Sequence, residues 1–153
     1  MVEEVLEFRT REQVDSILAR PLPPAVLRHL HSCYDEGVLP GGDRFGRPVY
    51  VIRGGRTGER LQKLFTPPVE GMPWEVADVT EAFMHWHLQL MEYHNKVVLQ
   101  RATARTKRLV NKWVMLDDMA GMSTAGVTRI MKFVGVLQKM AEIDQVRTVL
   151  NCL

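Results

Sequence analysis

The chain has 153 residues, of which 46% are hydrophobic and 25% charged, and its formal net charge is +2 at neutral pH. That length supports one domain with a real core, and the composition excludes disorder as a description of the whole. The near-balanced charge argues neither for nor against a nucleic-acid partner, so any electrostatic function has to come from a local patch.

The opening MVEEVLEF is acidic and lacks the long apolar run of a secretory signal. No stretch approaches the ~18 consecutive apolar residues that span a bilayer. Cys33 and Cys152 are far apart in sequence and define neither a disulfide framework nor a zinc site. The expectation is a soluble, cytoplasmic protein with no cofactor and no metal.

In chain order, Val2, Val5, Leu6, Phe8, Val14, Ile17 and Leu18 recur at helical spacing and predict a helix over 2–19, with a break near Thr10. Pro21, Pro23 and Pro24 stop it. A second helix is predicted from Pro24 to Glu36, with proline in its first turn and Gly37 after its end. Gly41 and Gly42 make a loop. Pro48–Arg53 reads as a strand, because Val49, Tyr50, Val51 and Ile52 are β-branched or aromatic, and Gly54 and Gly55 end it. Residues 56–77, with three prolines and two glycines, form a long connection containing one helical turn near 61–64.

Val79, Phe83, Trp86, Leu90, Tyr93 and Val97 then step by four and three, which predicts a long helix with one buried face. His85, Gln89, Glu92 and Lys96 fall opposite. Asp78 and Glu81 have capping-box spacing at its start. Trp113–Asp117 reads as a second strand, apolar enough to be buried on both faces. A Gly121–Ser123 turn leads to a last helix carrying Val127, Ile130, Met131, Val134, Leu137 and Ala141, and Val146–Leu150 reads either as a third strand or as a ragged tail. Strand, crossover helix and strand make a βαβ unit. Two strands are too few for a stable sheet, which points to an incomplete chain.

Little of this supports catalysis. The cluster Gly54-Gly55-Arg56-Thr57-Gly58 follows a strand, but it lacks the Gly-Lys-Ser/Thr and GxGxxG patterns, so it reads as a turn and not a phosphate loop. His85, His87 and His94 lack the i, i+4 spacing of a metal pair and read as rim or solvent-facing residues. Asp117 and Asp118 end a strand without a partner base, so Asp118 is read as a turn former bonding backbone amides. Met115, Met119, Met122, Met131 and Met140 suit either ordinary core filling or a cavity for a flexible apolar ligand. Arg101, Arg105, Arg108 and Lys112 stack on one face if the helix continues. No acidic residue lies between 93 and 116 to neutralise them, so the run is either a solvated face or a contact for an anionic membrane surface. It has no interleaved aromatics of the kind RNA binding uses.

Four ordered segments resemble the CRAL-TRIO lipid-binding domain family: DRFGRPVY at 43–50, EFRTREQVDSIL followed by PLPP, VTEAFMHWHLQLMEYH, and VMLDDMAGMS. The resemblance implies an α/β fold, a mixed sheet flanked by helices, with an N-terminal helical segment over 1–36 and a partial lipid domain over 37–153. It implies non-enzymatic binding of a hydrophobic lipid carried between membranes. The ligand-contacting set it suggests is Tyr50, Tyr93, Trp113 and Met115, with Arg101, Arg105, Arg108 and Lys112 at the membrane. Trp113 and Met115 stand where phosphatidylcholine-binding members carry small hydroxyl residues, which favours a less polar ligand or none. The family normally has a further half-domain after the last helix, and this chain ends at Leu153. A partial domain leaves apolar surface wet at roughly 25 cal/mol per Å², which predicts marginal stability or self-association. The alternatives are a protein–protein interaction module, or a truncated product with no lipid pocket.

Overall fold

The computed structural model describes residues 2–56, 60, 64, 76–125 and 128. The expected helix near 61–64, the last helix and the strand at 146–150 lie wholly or largely outside the described residues.

Helix α1 spans Val2–Arg11. It does not run on to residue 19. Gln13 adopts a left-handed backbone (φ 51°), and the chain restarts as a 3-10 helix over Val14–Ala19. The Arg20 guanidinium donates to the Glu12 and Gln13 carbonyls at 3.4 and 3.0 Å, tying down the chain at this break. Helix α2 spans Pro24–Cys33, with proline in its first turn as expected. It ends before Glu36 because Tyr34 is already extended (φ −123°, ψ 109°).

Glu36–Val38 then forms strand β1, where helix and loop were expected. It pairs antiparallel with β2, Val49–Ile52, in the register Glu36↔Ile52 and Val38↔Tyr50. A stretch reading Glu-Gly-Val has little strand propensity, and its pairing partner decides the outcome. The connection closes through the DRFGR turn. Asp43 Oδ1 accepts the backbone N–H groups of Phe45 and Arg47, both at 2.9 Å, and Oδ2 accepts Arg47 Nε at 2.8 Å. Gly46 takes φ +79°, and a Cβ there would collide with Thr106 Cγ2. Aspartate, glycine and arginine at this spacing therefore have a local geometric cause.

The long helix is α3, Val76–Tyr93, followed by a π-helical segment, His94–Val98, and α4, Leu99–Thr106. Val76 and Ala77 are already helical, so Asp78 does not stand at the helix start as the capping-box spacing suggested. Strand β3, Val114–Asp117, pairs parallel with β2 through Val49↔Val114 and Ile52↔Asp117. The sheet order is β1-β2-β3, mixed as expected, and the two expected strands lie side by side.

The buried stripe of α3 changes partners along its length. Val79, Ala82, Phe83 and Trp86 pack with Val26, Leu30 and Cys33 of α2 and with Leu64. One turn further on, Leu88 and Met91 pack with Val14 and Ile17 of the 3-10 helix. The N-terminal segment and the long helix thus share one core. The residues expected to be solvated opposite the stripe also face this segment. Gln89 Nε2 donates to the Ile17 and Arg20 carbonyls at 3.0 and 2.7 Å, and His85 Nε2 bonds the Arg20 carbonyl at 3.0 Å. Glu92 is buried, with Arg9 at 3.0 Å and Lys96 at 3.2 Å.

Candidate functional site

At the centre of the sheet, Tyr50 is 3% exposed. Side chains alternate along a strand, so Tyr50 shares its face with Val38 and Glu36 on one side and with Met115 on the other. This is the face the π segment meets. His94 lies edge-on to Tyr50 with ring centroids 4.9 Å apart, and on its other side it meets Trp113 at 5.0 Å. Trp113 also packs against the cluster of Val14, Ile17, Leu88 and Met91 and against that of Leu99, Ala102 and Val110, joining the two.

The four expected ligand contacts are therefore sorted by the fold. Tyr50 and Trp113 are brought together through His94. Met115 is Tyr50's neighbour in register and is 50% exposed. Tyr93 is 43% exposed, although its spacing placed it on the buried stripe. Its successor His94 turns inward instead, where the helix widens to a π turn. Segments of this kind recur at functional sites. His87 and His94, expected at the rim, are both buried. No helical spacing marks His94 as the residue that meets Tyr50, because the π turn alters the stepping at that point.

Tyr93 lines a groove of about 400 Å³ with Val38, Leu39, Pro48, Arg101 and Arg105. Arg105 Nη2 donates to the Gly46 carbonyl at 3.3 Å. Arg108 and Lys112 are exposed but do not continue this face. Lys107 adopts φ 54° and ends the helix at Thr106, so the four-residue basic stack stops after Arg105.

Strand β3 was expected to be buried on both faces, yet Met115, Leu116 and Asp117 are exposed, as is Met119 beyond it. A strand's apolar composition does not reveal which neighbours cover it. At the strand ends, Gly54 N–H donates to Asp117 Oδ1 at 3.2 Å and Gly55 N–H to the Asp118 carbonyl at 2.9 Å. A Cβ on Gly55 would strike the Ala120 carbonyl. These glycines serve close backbone approach. Asp118 Oδ1 accepts the Ala120 N–H at 3.0 Å and acts as the turn former its position suggested.

One titratable group is strongly perturbed. Burial pushes the Glu36 carboxyl up to about 7, with the neighbouring Tyr50 hydroxyl acting in the opposite direction. Among the described residues, no three His, Cys, Asp or Glu side chains come together in a way that could hold a metal ion. No described helix is long and apolar enough to cross a membrane.

No protein-family model matches the chain. The chain is 28% identical over 127 residues to "Protein real-time" of Anopheles gambiae. That alignment takes in 80% of this chain and 16% of the mosquito protein, so the chain spans about a sixth of the length of the curated relative it matches.

Proposed function

We propose that the chain is a CRAL-TRIO-like, non-enzymatic lipid-binding module that holds a hydrophobic ligand and carries it between membranes in the cytoplasm. The observation that carries this reading is the exposed apolar surface of β3. On one face the His94 segment covers Tyr50, while Met115 beside it is 50% exposed. The opposite face presents Val51, Val114 and Leu116, with Leu116 50% exposed. An apolar floor of this kind suits an acyl chain or another flexible apolar ligand. On this reading Tyr50 and Trp113 hold the wall in place while Leu116 touches ligand; Met115 projects from the opposite face of β3. The four sequence segments resembling the lipid-binding family support the same function.

Native mass spectrometry of the protein after incubation with vesicles carrying a labelled lipid tests the proposal. The expected result is a one-to-one adduct, lost in Leu116→Asp, whose exposed position leaves the fold intact. A protein that stays empty in every vesicle composition overturns it. A second reading, a protein-interaction module, is favoured by the exposed apolar side chains of Met115, Leu116 and Met119 along and just beyond one strand. Recovery of a stoichiometric protein partner, with no lipid adduct, distinguishes it from the first.

A further inference from the structure

The DRFGR turn and the end of α4 form one surface. A Cβ on Gly46 would collide with Thr106, and Arg105 Nη2 bonds the Gly46 carbonyl at 3.3 Å. Each of the two segments presents one large apolar side chain to solvent beside this contact. Phe45, next to Gly46, is 60% exposed, and Leu109, three residues beyond Thr106, is 81% exposed.

Both are held, and neither sits on a loose tip. Asp43 bonds two backbone N–H groups of its turn and pairs with Arg47 at 2.7 Å. The guanidinium carbons of Arg44 and Arg47 lie 4.7 and 5.2 Å from the Phe45 ring centroid. On the other segment, the Val110 N–H donates to Thr103 Oγ1 at 2.9 Å, closing the turn that displays Leu109.

The charge here departs from that of the chain as a whole. Residues 43–47 and 101–112 carry seven cations, Arg44, Arg47, Arg101, Arg105, Lys107, Arg108 and Lys112, against the single carboxylate of Asp43. That carboxylate is already paired with Arg47.

We infer that this surface docks on an anionic lipid bilayer, with Phe45 and Leu109 inserted among the acyl chains and the basic residues on the headgroups. Protruding apolar side chains carried on basic segments, with Arg44 and Arg47 against the Phe45 ring, match the layered chemistry of a membrane interface. An aliphatic prong such as Leu109 gains nothing from a base stack, which disfavours nucleic acid. The inference stands on these two segments alone and not on the lipid-carrying reading.

The test is co-sedimentation of the full chain with phosphatidylcholine vesicles, with and without phosphatidylserine. Binding is expected only with the anionic lipid, and it weakens as salt is raised. Arg44→Glu with Arg108→Glu should weaken it about 30-fold, since each basic side chain near an anionic leaflet is worth about a factor of five. Phe45→Ser with Leu109→Ser should weaken it about tenfold or more without moving the melting temperature. Binding that ignores phosphatidylserine, that survives both double substitutions, or that is stronger to an RNA oligonucleotide than to these vesicles overturns the inference. The salt and lipid dependence of the unsubstituted protein decides between these outcomes even where a variant misfolds. Lipid uptake by mass spectrometry is scored separately, so failure of one reading is distinguishable from failure of the other.

Discussion

The His94 imidazole meets the Tyr50 ring edge-on at 4.9 Å and so ties the π-helical segment to the central strand. It also meets Trp113 at 5.0 Å and is 2% exposed. His94→Ala removes both aromatic contacts and opens a cavity, and should destabilise the fold by about 2–4 kcal/mol. His94→Phe keeps the shape and should recover most of that loss. Thermal melts of the two variants against the parent check the prediction, and equal losses in both would refute it.

Glu36 gives stability a pH dependence of definite sign. Its carboxyl titrates at about 7 in the fold against an ordinary value of 4.5, so the folded state binds the proton more tightly than the unfolded state does. The neutral form is the one the fold accommodates. Stability should therefore fall as pH rises from about 4.5 to about 7 and then level, a change of up to about 3 kcal/mol. Glu36→Gln should flatten this part of the profile and make the protein more stable than the parent at pH 8. Urea titrations across the pH series measure it.

Gly46→Ala meets two costs at once, a left-handed backbone and the Thr106 methyl group. The expected loss is about 1–3 kcal/mol. Adding Thr106→Ala relieves the collision but not the backbone strain, so it should recover only part of the loss. Full recovery would show that sterics alone select glycine here, and no recovery would show that the backbone angle does.

Arg9 neutralises a buried carboxylate. Glu92 accepts from Arg9 Nη1 at 3.0 Å and lies 3.2 Å from Lys96, while Asp15 also contacts Arg9. Arg9→Ala should cost about 1–3 kcal/mol, because Glu92 keeps only the more exposed Lys96. Glu92→Gln in the Arg9→Ala background removes the stranded charge and should recover part of that stability. A double-mutant cycle by chemical denaturation gives the coupling energy.

Some of this architecture can be read directly from residue order. Val49–Ile52 is a run of strand formers bounded by proline and glycine, and it folds as it reads. Trp113–Asp117 is legible as extended from its short apolar run, and the strand forms over Val114–Asp117. Its exposure is not legible, since burial depends on which elements cover a strand. The first half of the long helix keeps the predicted stripe, because Val79, Phe83 and Trp86 all meet one cluster, built from α2 and Leu64. Its second half meets the 3-10 helix and then the sheet, and a single repeat cannot describe three partners. Strand β1 has no local signal at all; Glu36, Gly37 and Val38 are extended because Ile52, Val51 and Tyr50 offer them hydrogen-bonding partners.

The candidate site divides along the same line. Tyr50 and Trp113 are recognisable as residues of interest, but His94, which joins them, falls at a π turn that no regular helical spacing marks. The basic run is recognisable to Arg105. Beyond that, Lys107 turns the chain, and the surface is completed by Phe45, distant in sequence and adjacent only once Gly46 meets Thr106.

The register of the sheet also dictates an order of assembly. Val38 and Tyr50 are 12 positions apart, whereas Val49 and Val114 are 65 apart. Ends so widely separated meet slowly, and closing the longer loop carries the larger entropy cost. The hairpin of β1 and β2 can therefore form while most of the chain is still being synthesised. During that interval the far side of β2 offers an unpaired row of amides to any other strand nearby, which makes β3's late arrival the step most open to misassembly.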